Sequence, residues 1–139
     1  MSHRALLEGL LDAFTKRDLE AVMACFGADA VVFDPHYPIA QMQGAVAIRR
    51  GFKWALDNME RPGFAVRHFW DDGESGAFEV DTHHQFKGGM EVRFMQIFVY
   101  EIAAGKLAAL RAYTPYPPRG IAGALTRMMG MLWWLKGHS

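Results

Sequence analysis

The spacing of the apolar residues changes once along this chain, and that change limits the fold more than any other feature of the sequence. Before Pro62, apolar residues recur every three or four positions, which predicts a helix over residues 3–16, a second that Asp18 caps, and a third that Gly44 opens. After Pro62 they alternate along runs separated by glycine-rich turns. The predicted strands are 65–70, 77–86, 92–102 and 107–113. Helices followed by an antiparallel meander indicate a single α+β domain with helices layered on a sheet.

An Asp-Pro pair interrupts the helical part of the chain. Asp34 ends a short apolar strand, Ala30–Phe33, and Pro35 disfavours helical geometry at the residue before it. A carboxylate beside apolar surface has its ionised form disfavoured, which suits a base that accepts a proton near neutral pH. Alternatively, Asp34 only caps a turn, as Asp often does before Pro. Both interpretations stay open from the residues alone.

Two histidines, His36 and His84, are candidates to act with the Asp34 carboxylate. His36 lies in the same loop, where its imidazole can titrate near neutral pH and pair with Asp34, and we count it with Asp34 among the candidate catalytic residues. Strand parity turns His84 inward and His83 outward, so these neighbours cannot bind one metal ion side by side. Asp34, His36 and His84 have no recognisable metal-ligand spacing, and we expect no metal.

Strand parity also places one amide among aromatic residues on the inward face. Gln96 shares that face with Phe94 and Phe98, and a buried amide needs hydrogen-bond partners. Either Gln96 donates to a ligand carbonyl, which makes it the third candidate catalytic residue, or a neighbouring backbone group or tyrosine satisfies it. The residues expected to contact a ligand are Tyr37, Trp54, Phe78, Val80, Thr82, His84, Phe94, Phe98, Ala112 and Tyr116.

Two apolar surfaces remain outside this predicted cavity. Met95, Ile97 and Val99 lie on the outward strand face, which predicts a homodimer through the sheet. Residues 121–136 predict a helix that is apolar nearly all round and can act as a lid, a dimer contact or a membrane-surface anchor. Arg127 and Lys136 give little attraction to anionic lipid, so we favour the lid or the dimer contact and expect no membrane partner.

Composition excludes several classes of function. A formal net charge of zero argues against a nucleic-acid partner. Cys25 and Phe26 lie in the apolar phase of the second predicted helix. Because Cys25 is the single cysteine, the chain has no internal disulfide, which suits a reducing cytoplasm. We see no apolar secretion signal, no membrane-spanning window and no glycine-rich phosphate loop, and therefore expect a cytoplasmic protein without a cofactor.

The segment from Arg17 to Arg50 resembles the opening half of the nuclear transport factor 2-like superfamily, which includes ketosteroid isomerases and SnoaL-like polyketide cyclases. The resemblance covers roughly residues 5–116 and rests on matched elements of the family pattern. These are Arg17-Asp18-Leu19-Glu20-Ala21, Phe26, Asp29-Ala30, Asp34-Pro35 and the run from Gly44 to Arg50. It implies a cystatin-like cone, in which N-terminal helices pack on a curved antiparallel sheet. The SnoaL-like domain would span 1–118, and 119–139 would form an apolar helix on the domain or its dimer partner.

The same resemblance implies a site. Asp34 matches the catalytic base of the ketosteroid isomerases, which pair that base with an oxyanion hole of a tyrosine and a protonated Asp. The tyrosine position falls on Leu10, and the second donor falls on Gln96 or Ile97; strand parity favours Gln96. SnoaL-like cyclases and limonene epoxide hydrolases often use an acidic residue on the last strand, where 110–113 offers no carboxylate.

We therefore expect a small-molecule-binding SnoaL-like protein with a small apolar ligand. The resemblance favours an isomerase- or cyclase-like enzyme that uses Asp34 as general base on an apolar carbonyl compound. The alternative is a non-catalytic lipid- or polyketide-binding module, or a protein-interaction module.

Overall fold

Three helices cover one face of a curved seven-stranded sheet, in a computed structural model that describes residues 2–116 and 120–137. The helices are α1 (His3–Thr15), α2 (Leu19–Ala24) and α3 (Ala45–Asn58), and a fourth, α4 (Gly120–Leu135), follows the sheet. The strands are β1 (Phe26–Phe33), β2 (Gln41–Gln43), β3 (Met59–Arg61), β4 (Phe64–Asp71), β5 (Ser75–Phe86), β6 (Glu91–Ala103) and β7 (Lys106–Tyr113). The α+β prediction is confirmed.

Side-chain caps explain where the first helices begin. The Ser2 hydroxyl accepts from the backbone N–H of Ala5 at the start of α1, and the Asp18 carboxylate accepts from that of Ala21 at the start of α2, at 3.1 and 3.0 Å. Gly44, with a φ of 84°, turns the chain from β2 into α3. Phe26 was expected in the second helix, but it begins β1, because α2 ends after six residues.

The sheet runs in the order β2-β1-β7-β6-β5-β3, with β4 also paired to β5. All pairs are antiparallel except β1 with β7, which is parallel. β1 therefore lies inside the sheet, between a short local partner and a strand from the far end of the domain. This pairing fixes the end of β1 beside β7, and with it the position of Asp34, the residue after Phe33.

The core lies between the helices and the inward face of the long strands. Leu7 and Ile48 contribute from α1 and α3, and Phe78 and Tyr100 from β5 and β6, each with at most 1% of its surface exposed. Burying one such large apolar side chain stabilises the fold by roughly 1.5–3 kcal/mol. The predicted strand parity is confirmed, since Gln96 is buried while Met95 and Ile97 are each 38% exposed.

Helix α4 differs from the others because its large apolar side chains are exposed. They are Ile121, Leu125, Met128, Met129, Met131, Leu132, Trp133, Trp134 and Leu135. Across the part of the chain that the structure describes, no helix has the length and apolar character needed to cross a membrane. The predicted domain end at residue 118 lies outside the described residues.

Candidate functional site

An apolar cavity of about 270 Å³ lies between the helices and the sheet. Its wall combines aromatic and aliphatic residues with a few polar ones. The lining residues are Leu10, Leu11, Phe14, Val32, Phe33, Asp34, His36, Tyr37, Phe52, Trp54, Ala55, Met59, Phe64, Phe78, His84, Phe86, Met90, Val92, Phe94, Gln96, Phe98 and Leu110. An apolar cavity with a small number of placed polar groups is typical of a small-molecule site.

Asp34 is both a turn residue and a cavity residue. Its Oδ1 atom accepts from the backbone N–H of His36 at 2.9 Å, which closes an Asx turn, and it lies 2.7 Å from Nδ1 of the His36 ring. Its side chain is 13% exposed. Among the described residues, none donates to Oδ2. The two interpretations of Asp34 are therefore compatible, since Oδ1 holds the turn and Oδ2 accepts from none of the described residues.

His36 connects Asp34 to a tyrosine outside the cavity. Since a carboxylate only accepts, Nδ1 of His36 carries the proton and donates to Asp34. In the neutral ring, Nε2 then accepts from the hydroxyl of Tyr116, at 2.9 Å. The ring also packs on Phe94, with centroids 4.9 Å apart. His36 is thus held on two sides and in one tautomer.

His84 is a neutral donor at the cavity wall. Its Nδ1 atom accepts from the backbone N–H of Gly63 at 3.1 Å, so the proton of the neutral ring is on Nε2. Burial, with smaller contributions from His36 and His83, lowers the pKa of His84 to about 4, and Asp34 opposes this shift weakly. Within the described residues, Nε2 has no hydrogen-bond acceptor. It can therefore donate to a ligand at neutral pH.

Gln96 is buried with half of its amide unsatisfied. Its Nε2 atom donates to the Thr82 hydroxyl at 2.8 Å, whereas Oε1 is fully buried and accepts from no described residue. Only 3% of the residue is exposed. The prediction that Gln96 donates to a ligand carbonyl stays a prediction; the group without a partner is an acceptor.

Tyr37 lies beside Asp34 as a neutral, partly buried phenol. Burial raises the pKa of Tyr37 above its usual range, and the charge of Asp34 raises it further. Its ring packs near those of Phe52 and Trp54, with both centroid distances 5.9 Å. Leu10, at the position that the resemblance gives to a tyrosine, also lines the cavity and offers no donor.

The structure brings most of the predicted site residues to the cavity wall and leaves four away from it. Val80 and Ala112 are buried in the core behind the lining. Thr82 lies behind Gln96 as its hydrogen-bond partner. Tyr116 is 51% exposed and reaches the site only through His36. Parity alone cannot distinguish a residue that faces a cavity from one that faces packed core, which explains the first two.

Several lining residues were missed in the sequence. Phe86 and Val92 lie on the inward parity of β5 and β6 that had already been identified, and Leu11 and Phe14 lie on the inward stripe of α1. Strand parity and the helix stripe both identify these residues as inward-facing, but neither pattern shows where the packing leaves a cavity. Within residues 2–116 and 120–137, no three His, Cys, Asp or Glu side chains form a group that could hold a metal ion.

Comparisons with known proteins agree with this architecture. A family model of the SnoaL-like domain matches residues 7–110. At the level of sequence, no curated protein matches the chain. Similar solved structures include TerC co-crystallised with polyporic acid, at 14% identity and a TM-score of 0.70 over 80% of this chain and 89% of TerC.

Two further structures extend the likeness. A Mycobacterium tuberculosis protein in complex with estradiol-17β-hemisuccinate is 18% identical, with a TM-score of 0.71 over 79% of this chain and 91% of that protein. A Catenulispora acidiphila protein of ketosteroid isomerase-like fold, in complex with trimethylamine, is 16% identical, with a TM-score of 0.71 over 81% of this chain and 86% of the other. At such identities the likeness concerns the fold, and it confirms the predicted cone.

Proposed function

The chain belongs to the SnoaL-like domain family, and we propose that it binds a small apolar carbonyl compound and moves a proton next to the carbonyl, with Asp34 as general base. The observation that carries this proposal is the state of the Asp34 carboxylate. It lines an apolar cavity, His36 holds one of its oxygens, and no described residue donates to the other. The bound ligands of TerC and of the mycobacterial protein support a small-molecule-binding role.

In the proposed step, Oδ2 of Asp34 takes a proton from the carbon beside the carbonyl. The electron pair of the broken C–H bond forms the C=C bond of an enolate, and negative charge develops on the former carbonyl oxygen. His84, through Nε2–H, donates a hydrogen bond to that oxygen. A donor placed where charge develops is worth about 10²–10³ in rate. Return of the proton from Asp34 to carbon completes the cycle.

Solvent exchange tests this role without knowledge of the natural substrate. The probe is 2-tetralone, an apolar cyclic ketone, in deuterated buffer, with deuterium incorporation beside the carbonyl followed by NMR. We expect the protein to accelerate exchange and Asp34→Asn to lower the acceleration by about 10²–10⁴-fold, the usual contribution of a general base. The matched control is Asp81→Asn, which removes an exposed carboxylate that pairs with Arg67 on the outer face. Equal exchange by the Asp34 variant and the parent would contradict the proposal.

A non-catalytic binding module is the second candidate. The observation in its favour is Leu10, an aliphatic residue where the isomerase resemblance places a tyrosine donor. A binding module would bind 2-tetralone by calorimetry yet leave its exchange at the rate of buffer. The same pair of measurements therefore separates the two candidates.

We also propose that the protein is a cytoplasmic homodimer that pairs through the outer face of the sheet. Met95 and Ile97, each 38% exposed, and Val99 beside them support that interface. The exposed apolar side chains of α4 support a contact with the domain of the partner copy.

A further inference from the structure

The buried carbonyl oxygen of Gln96 has no hydrogen-bond donor among the residues that the structure describes. Leaving a buried acceptor unpaired typically costs about 1–3 kcal/mol, so such groups are rare unless a ligand or water completes them. Oε1 of Gln96 is in this state, while Nε2 of the same amide is tied to Thr82. The Thr82 hydroxyl accepts from the amide nitrogen and so fixes the amide, and Oε1 is the atom of this side chain that accepts from no described residue.

The position of Gln96 along the sheet separates it from His84, the proposed donor to the ligand carbonyl. His84 pairs with Val92, while Gln96 pairs with Val80, four residues earlier in β5. At the usual rise of a strand, these two levels are about 13 Å apart. The rings of His36 and His84 both contact Phe94, which lies between the two levels. The cavity wall therefore has an N–H donor at one level and, at another, an amide whose buried oxygen accepts from no described residue.

We propose that the ligand of this protein is an apolar ring compound with a hydroxyl group opposite its carbonyl, and that this hydroxyl donates to Oε1 of Gln96. The carbonyl faces His84 and Asp34, and the apolar body of the ligand lies along Phe94 and Phe98. Gln96 is then a specificity-determining residue, which selects hydroxylated ring ketones over their ethers and hydrocarbons. Because it takes the cavity as the ligand site, this role rests on the proposed function.

Binding of matched ligands tests it. The probes are 6-hydroxy-2-tetralone and 6-methoxy-2-tetralone, which differ in whether the oxygen remote from the ketone carries a proton. We expect the hydroxy compound to bind about tenfold more tightly, the effect of one buried hydrogen bond. Calorimetry with the Asp34→Asn variant reads this preference without any proton transfer, so failure of the proposed catalysis leaves the result readable.

The protein side of the test uses Gln96→Met, which keeps the length of the side chain and removes the acceptor. The preference for the hydroxy compound should fall to about onefold in this variant. Gln85→Met, a change on the outward parity of the same sheet, should leave it intact. Equal binding of both probes by the parent, or a preference that survives Gln96→Met, would overturn the proposal.

A ligand series removes any dependence on the folding of the variant. On the unmodified chain, 6-amino-2-tetralone, which also carries a donor, should bind more tightly than 6-fluoro-2-tetralone, which carries none. If the fluoro compound or the methoxy compound binds as tightly as the amino compound, Gln96 presents its nitrogen rather than its oxygen to the ligand, and the proposal is wrong.

Discussion

The hydroxyl of Tyr116 lies 2.9 Å from Nε2 of His36, a residue eighty positions earlier in the chain. The other ring nitrogen of His36 donates to Asp34, so the three side chains form a line of hydrogen bonds that ends at the proposed base. Tyr116 orients the His36 ring, and the ring in turn orients the Asp34 carboxylate. Tyr116 therefore acts on the carboxylate through His36, although it does not line the cavity.

Tyr116→Phe should weaken this line without breaking the fold. Loss of the hydroxyl leaves Nε2 of His36 without its donor, and the ring is then held on one side only, by its bond to Asp34. We expect the Asp34-dependent exchange of 2-tetralone to fall by roughly three- to tenfold, a typical value for one neutral hydrogen bond. The ¹⁵N shifts of the His36 ring should change as well. Tyr113→Phe is the matched control, since both tyrosines are 51% exposed; unchanged His36 shifts in Tyr116→Phe would contradict the expectation.

Protonation of His84 should make the fold less stable in mild acid. The pKa of this histidine is about 4 in the folded state and near 6.5 ordinarily, so the unfolded chain binds more protons between these values. The free energy of unfolding therefore falls as pH drops from about 6.5 to 4, by on the order of 2 kcal/mol after allowance for solvent.

Urea unfolding across that pH range measures this slope. His84→Gln should remove part of it, because the side chain no longer titrates. His68→Gln is the control, since the His68 side chain is 65% exposed. A slope that is the same in the parent and in His84→Gln would show that burial of this imidazole is not its source.

Gly76→Ala should be strongly destabilising. A Cβ atom there would collide with the carbonyl oxygen of Trp70 and the hydroxyl of Tyr100, which also donates to Asp71 at 2.8 Å. We expect a loss of about 1–3 kcal/mol in thermal or urea unfolding. Gly9→Ala, in the middle of α1 with open space around it, should instead be neutral or stabilising by up to about 1 kcal/mol. Similar stabilities for the two variants would contradict the packing around Tyr100.

Ile97→Lys should dissociate the proposed homodimer. A lysine at the centre of the outer face would leave a charge in an apolar interface, which costs several kcal/mol unless it is paired. Light scattering at micromolar concentration should give a dimer for the parent and a monomer for the variant. Val46→Lys, at an apolar position that is 68% exposed on α3, should leave the dimer intact. A monomeric parent would end the proposal.

Local patterns predicted most of this fold. The stripe of α1, the cap at Asp18 and the alternation along β5 and β6 each depend on residues close in sequence, and the structure agrees with them to within a few residues. The strands β2 and β3 were missed because three residues are too few to show alternation. The parallel pairing of β1 with β7 has no local signal at all.

The candidate site divides in the same way. Asp34 and His36 could be identified from the sequence because Asp34 directly precedes a proline and His36 follows it by only two positions. The bond from Tyr116 to His36 and the orphaned oxygen of Gln96 depend on distances between residues far apart in the chain. Hydrogen bonds between such distant side chains depend on how the elements pack, and the pattern of polar and apolar residues along the sequence does not predict that packing.

The parallel pairing of β1 with β7 also sets an order of assembly. During synthesis, β1 can pair early with the adjacent β2, but its other edge stays open until the seventh strand has left the ribosome. Pairing over such a sequence separation carries a loop-closure cost that local hairpins avoid. Tyr116 emerges later still, only three residues after β7. The Asp34 carboxylate is thus made in the first quarter of the chain, yet the strand and the tyrosine that complete its surroundings are made near the end of it.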